Sequence, residues 1–152
     1  MGKNTKIRIG SHVIISGQAK IYIGNGADLS IGDHVFVGGE TIIVANFKVA
    51  IGEGTQIAHH TTIIDTDHVY DDLDTPLRLQ GNKREPILIG KEVWIAANAV
   101  VLKGKQIGDH CVIGAGTVVT KSIPAGTLYA GELIRPMSSN NTDKGQTKGQ
   151  TS

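Results

Sequence analysis

The chain has a single cysteine, Cys111, in 152 residues. One thiol excludes an intrachain disulfide framework and gives no sign of an oxidising compartment. Phe, Trp and Tyr together make up only 4% of the residues, which excludes a wide core filled by rings. No apolar run approaches the ~18 residues that a membrane-spanning helix requires. Met1 to Ile9 carries basic side chains but no apolar leader, so a cytoplasmic location is expected. Charge of one sign is also missing: 15 basic residues face 14 acidic ones, for a net charge of +1. That balance gives no electrostatic ground for nucleic acid or an anionic membrane as partner. Any anion site must be local, built from a few placed residues.

Glycine, by contrast, is abundant, at 20 of 152 residues, or about 13% against about 7% in average proteins. Few rings and many tight corners point to a narrow, repetitive β architecture. The repeat is explicit. Ile89, Ile95, Val101, Ile107, Ile113 and Val119 are spaced by six without a gap, and Ile31–Val37–Ile43 and Ile51–Ile57–Ile63 keep the same step. The fifth residue of a hexad is usually small or branched, as at Val35, Thr41, Thr55, Thr61, Val93, Ala99, Cys111 and Thr117. A period of six fits neither an amphipathic helix nor a simple alternating strand. It fits a short strand plus a corner, repeated as the faces of a triangular prism, with three hexads to a coil and about five coils in all. Stacked coils would pair their strands in parallel.

The repeat breaks between His68 and Ile87, where the chain reads VYDDLDTPLRLQGNKREP. Residues 69–86 are therefore expected as an extruded loop, and a long loop inside a compact repeat is commonly functional. From Ser138 the chain carries no aliphatic residue, so 138–152 reads as a disordered tail and 1–137 as one domain.

The hexads, the segment VWIAANAVVLKGKQIGDHCVIGAGTVVTKSIPAGTLYAG and the upstream IIDTDH resemble the hexapeptide-repeat acyltransferases. Within that family the sequence is similar to the galactoside/maltose acetyltransferase-like and polysaccharide O-acetyltransferase branch. The resemblance spans roughly residues 7 to 136. It implies a left-handed parallel β-helix, although parallel crossovers are generally right-handed. It also implies a homotrimer and acetyl-CoA bound between neighbouring subunits. The implied activity is transfer of the acetyl group to a hydroxyl of a sugar or a polysaccharide or lipopolysaccharide precursor.

His68 matches the family's general base. A hydroxyl acceptor needs a base that works near neutral pH, and an imidazole supplies one. Asp65 and Asp67 flank it and are candidates to orient the ring or contact the acceptor. Asn46 matches an acceptor-binding position one coil earlier. Ala96, Ala97, Gly114 and Ala115 match positions lining the pantetheine groove, and Trp94 one beside the active-site cleft. Lys121 and Arg135 match positions that meet the CoA phosphates, where charge and donors are needed.

The departures are also specific. Gly38 stands where galactoside-type members carry a polar acceptor-binding residue, which argues against a simple galactoside. The ending AGELIRPM differs from the usual AGNPAK, which weakens Arg135. Lys105 takes an inward slot, and Phe47 overfills a small one. Asp71, Asp72 and Arg78 are weaker acceptor candidates, and His59 or His60 could help position the acceptor. Two alternatives stay open on the same fold. One is N-acetylation of an amino-sugar. The other is a different class altogether, either a non-catalytic scaffold or a γ-carbonic-anhydrase-like zinc site. No metal is expected, since relatives of the latter kind carry a His-x4-His pair and no two histidines here are five apart.

Overall fold

The computed structural model describes residues 4–131 and 133–137. The chain winds as a parallel β-helix with three faces. The first face stacks Lys6–Ile9, Asp28–Ile31, Lys48–Ile51, Ile87–Ile89 and Gln106–Ile107. The second stacks Ile14–Ile15, Phe36–Val37, Gln56–Ile57, Trp94–Ile95, Val112–Ile113 and Thr127–Ala130. Leu133–Pro136 then folds back antiparallel against Thr127–Ala130. The third face stacks Lys20–Ile23, Ile42–Ala45, Thr62–Ile64, Val100–Leu102 and Val118–Val119.

The period of six becomes three inward columns. Ile31, Ile51, Ile89 and Ile107 form one, Val37, Ile57, Ile95 and Ile113 the second, and Ile43, Ile63, Val101 and Val119 the third; none is more than 4% exposed. In register, the same slot recurs one coil apart, as in Ile31 against Ile51 and Ile57 against Ile95. The small fifth positions also point inward and fill the corners. Thr41, Thr55 and Thr61 are tolerated there because each hydroxyl donates to a carbonyl, of Ala58, Gly90 and Ala58 respectively, at 2.9–3.0 Å. Ile9 and Ile15 hold the same columns in the first coil but stand 53% and 42% exposed, with no described strand beneath them.

Two expectations need correction. Phe47 does not overfill the core; it is 48% exposed. The insertion is not an irregular loop throughout. Thr66–His68 and Asn82–Arg84 form a two-stranded antiparallel ribbon, and Leu77–Leu79 makes a single 3-10 turn near its tip. The stretch read as a disordered tail, 138–152, lies outside the described residues.

Outward residues differ by face. The first face presents Lys6, Arg8, Asp28, Ser30, Lys48 and Gln106. The third presents Tyr22, Ile42, Val44, Thr62, Ile64, Val100, Leu102 and Val118. The second presents Ile14, Phe36, Trp94, Val112 and Leu128. The second and third faces are thus mostly apolar on the outside, interrupted by Gln56 and Lys20, and the first is mostly polar, interrupted by Ala50 and Leu88.

Candidate active site

His68 is exposed on the last residue of the ribbon's first strand, opposite Asn82. The ribbon leaves the coil at the corner between the third and first faces. Its backbone is held by Val69 N–H donating to Gly81 O at 3.0 Å and by Glu85 N–H donating to Asp65 O at 3.1 Å.

Asp65 is not an acceptor contact. It is fully buried, because alternation along the third-face strand places Ile63 inward, Ile64 outward and Asp65 inward again. Its carboxylate accepts the backbone N–H groups of Asn46, Phe47 and Lys48 at 2.8, 2.7 and 2.8 Å. The residue therefore shapes the preceding coil's corner, which also carries Asn46. Asn46 is half-buried on the same edge of the prism as His68, one coil away.

Asp67 does not orient the imidazole either. Neighbouring side chains of a strand leave on opposite sides, and Asp67 turns toward Lys103, with Oδ2 3.6 Å from Nζ. The same ammonium binds Glu85 Oε1 at 2.7 Å, and the Lys103 side chain is only 17% exposed. Among the described residues no hydrogen bond or ion pair joins His68 to a carboxylate. Sequence reasoning missed Lys103 altogether.

The hydrogen bond from Lys103, and then its charge, hold the Glu85 carboxyl below its ordinary value; the same bond holds the Lys103 ammonium above its own. The Glu85 contribution is thus present above the ordinary glutamate range and lost as pH falls through the lowered value. The Lys103 contribution is present below the ordinary lysine range and lost as pH rises through the raised value. Hydrogen exchange of the Val69 and Glu85 amides, corrected for intrinsic rate, should stay level from about pH 5 to about pH 10 and quicken outside that window. A step centred near neutral pH would contradict this account of the ribbon's root.

The residues matched to the CoA site gather elsewhere. Trp94 is 54% exposed, outward on the second face, so it is no core tryptophan. Trp94, Val112, Leu128 and Arg135 form one outward column. Ala96 and Ala97 follow Trp94 at the corner between the second and third faces, and Gly114 and Ala115 repeat that corner one coil on. The rungs are linked by Ala96 N–H to Ile113 O at 2.9 Å and Gly116 N–H to Ala97 O at 2.9 Å. Gly114 has a packing reason as well, since a Cβ there would lie 2.9 Å from the Ala130 methyl. Lys121 lies with its ammonium 5.6 Å from the centre of the Tyr129 ring, at the upper end of the coil.

A whole third-face strand separates this ladder from His68, a span of about 10–15 Å at strand rise. One protomer does not bring the imidazole and the small-residue ladder together.

His60 sits lower on the ladder's corner, with Nδ1 3.3 Å from Glu40 Oε2. Both line a cavity of about 340 Å³ together with Gln18, Lys20, Ile42 and Thr62. Gly38, on the same corner, is buried, and a Cβ there would come within 2.5 Å of the His59 backbone nitrogen. The next coil's backbone fixes glycine at this slot. Lys105 is half-buried. Asp71 pairs with Lys83 at 2.7 Å, and Asp72 accepts from Thr75 at 2.5 Å, so both serve the ribbon's own shape. Cys111 is fully buried and its S–H donates to Pro124 O at 3.0 Å; burial pushes its thiol up. No covalent acyl-cysteine step can run through it. Among the described residues no three His, Cys, Asp or Glu side chains converge as metal ligands.

The coil and its six-residue repeat are those of the hexapeptide-repeat proteins, wound as a left-handed parallel β-helix. The family model for the bacterial transferase hexapeptide (six repeats) matches residues 86–121. The galactoside O-acetyltransferase of Escherichia coli K12 is 36% identical over 116 residues, which is 76% of this chain and 56% of that protein. A hexapeptide-repeat-containing acetyltransferase from Vibrio cholerae has a similar structure, with a TM-score of 0.76 and 25% identity, over 89% of this chain and 74% of the other. A galactoside acetyltransferase in complex with coenzyme A is similar at a TM-score of 0.64 and 28% identity, over 89% of this chain and 66% of the other. The chain spans about half the length of the curated relatives that it matches. Among the described residues no helix is long and apolar enough to cross a membrane.

Proposed function

We propose that the protein is an acetyl-CoA-dependent O-acetyltransferase acting on a hydroxyl of a sugar, such as a unit of a polysaccharide or lipopolysaccharide precursor. The observation that carries the reading is the placement of one exposed imidazole, on a ribbon at one edge of the apolar third face, and of a small-residue ladder at that face's other edge. A ring of copies closed by rotation would bury the apolar second and third faces. It would also carry His68 of one copy to the ladder of the next. A homotrimer is the ring that a triangular rod and the family resemblance favour.

In that cleft Ala96, Ala97, Gly114 and Ala115 offer exposed backbone and little bulk to a pantetheine arm, with Trp94 beside it. Lys121 and Arg135 stand towards the coil's upper end, where the CoA phosphates would lie. The His68 imidazole takes the acceptor's hydroxyl proton as its oxygen attacks the thioester carbonyl. The tetrahedral oxyanion then collapses, the C–S bond breaks, and the imidazolium returns the proton to the departing CoA sulfur. An N–H of a neighbouring corner would serve the oxyanion. Asn46, on the same edge as His68, is the acceptor contact that this geometry retains.

The test is acetyl transfer from acetyl-CoA to galactose, maltose and glucosamine, read as thiol release and as product mass. An acetyl ester on a neutral sugar is expected. Product from glucosamine alone would favour N-acetylation, where a deprotonated amine needs less help from a base. No thiol release with any of the three, despite acetyl-CoA binding, would favour a non-catalytic scaffold.

A further inference from the structure

The geometry points to Lys103 as a positioning residue for the transfer, one that fixes the ribbon carrying His68 to the body of the coil; this rests on the assignment of His68 as the base. The ribbon has only three paired residues per strand, and a hairpin that short is marginal by itself in water. Its apolar side chains do not anchor it: Tyr70, Leu73, Leu77 and Leu79 are 52–97% exposed. Lys103 lies just beyond the third-face strand Val100–Leu102, on the rigid coil. Its single ammonium reaches Asp67 in the ribbon's first strand and Glu85 just after its second. Both strands are therefore tied to one point, and the first tie is to the residue next to His68.

The exposure of the partners sets this contact apart from ordinary surface pairs. Asp67 and Glu85 are 44% and 51% exposed, while the lysine between them is 17% exposed. A long side chain held that far out of water has already lost its freedom to packing, so less entropy opposes the ion pairs than at an open surface. Lys83 provides the contrast. Its pair with Asp71 joins the ribbon to itself, with both side chains at least half exposed, and it leaves the ribbon's angle to the coil unconstrained. Lys103 touches no reacting atom. It acts by keeping the imidazole where the acceptor hydroxyl meets the thioester, and a displacement of about 1 Å there can cost on the order of 10²-fold in rate.

The experiment compares Lys103→Met, Lys103→Arg, Lys83→Met and His68→Ala with the unaltered chain, using acetyl-CoA and the sugar that serves best in the panel above. Lys103→Met is expected to lower kcat about tenfold with KM for acetyl-CoA within about twofold. Lys103→Arg, which keeps the charge and can reach both carboxylates, should restore most of the rate, and Lys83→Met should be neutral. Normal kcat in Lys103→Met alongside an inactive His68→Ala overturns the positioning role and leaves the base intact. A matching loss in KM and thermal stability, not rescued by arginine, overturns it in favour of a merely structural role. Normal turnover in His68→Ala removes the base itself.

Discussion

Replacing His68 with alanine is expected to lower turnover by ~10²–10⁴-fold, the usual worth of a positioned general base. The KM for acetyl-CoA should stay within about twofold, because the residues matched to CoA stand on other elements of the fold. His68 is exposed and at the end of a three-residue strand, so its truncation removes no core contact. Thermal unfolding should coincide with that of the unaltered chain. The result to look for is a selective fall in kcat under saturating acetyl-CoA. Undiminished turnover would remove the imidazole from the chemistry and leave the ribbon without a catalytic role. The core thiol of Cys111 is no substitute, since it cannot reach a thioester without opening the coil.

The second large effect is on stability. Asp65→Ala would leave the N–H groups of Asn46, Phe47 and Lys48 without the carboxylate that all three share. It would also open a gap at a fully buried position. Unsatisfied buried donors are costly, and with partial relaxation the loss should be about 3–5 kcal/mol. Asp65→Asn keeps the volume but turns one acceptor into a donor facing N–H groups, so it should recover little. Asp67→Ala, which removes a half-exposed carboxylate 3.6 Å from Lys103, should cost no more than about 1 kcal/mol. Urea unfolding at one fixed protein concentration, with unchanged slope, would read these differences. An Asp65→Ala protein within about 1 kcal/mol of the unaltered chain would show that the three N–H groups find other partners.

The inward columns were legible because the repeat is local and redundant. Each aliphatic residue from Ile89 to Val119 repeats the same instruction, and the structure buries all of them. The break after His68 was equally plain. Asp65 as an acceptor contact and Asp67 as a partner of the imidazole were misread for a physical reason. Their nearness to His68 in sequence suggested a shared site, yet counting by twos from the inward Ile63 sends Asp65 into the core. The same alternation puts Asp67 and His68 on opposite sides of a strand. That signal was present and was outweighed by adjacency. Lys103 was not readable at all: its partners depend on how residues 66–68 and 82–84 pair, and a short polar hairpin leaves almost no periodic trace. The exposure of Trp94 was undecidable from a lone tryptophan. It is settled by the strand stack, which gives Ile95 the inward slot.

The insertion leaves the winding around it undisturbed. Thr62–Ile64 pairs with Val100–Leu102, and Ile87–Ile89 with Lys48–Ile51, each in its normal register, as though residues 65–86 were absent. The rod that would hold the acyl donor and the appendage that carries His68 are therefore separable in construction. Exchanging the appendage between such chains, with Lys103 and its two carboxylates moved as a set, offers a route to new acceptors without rebuilding the rod.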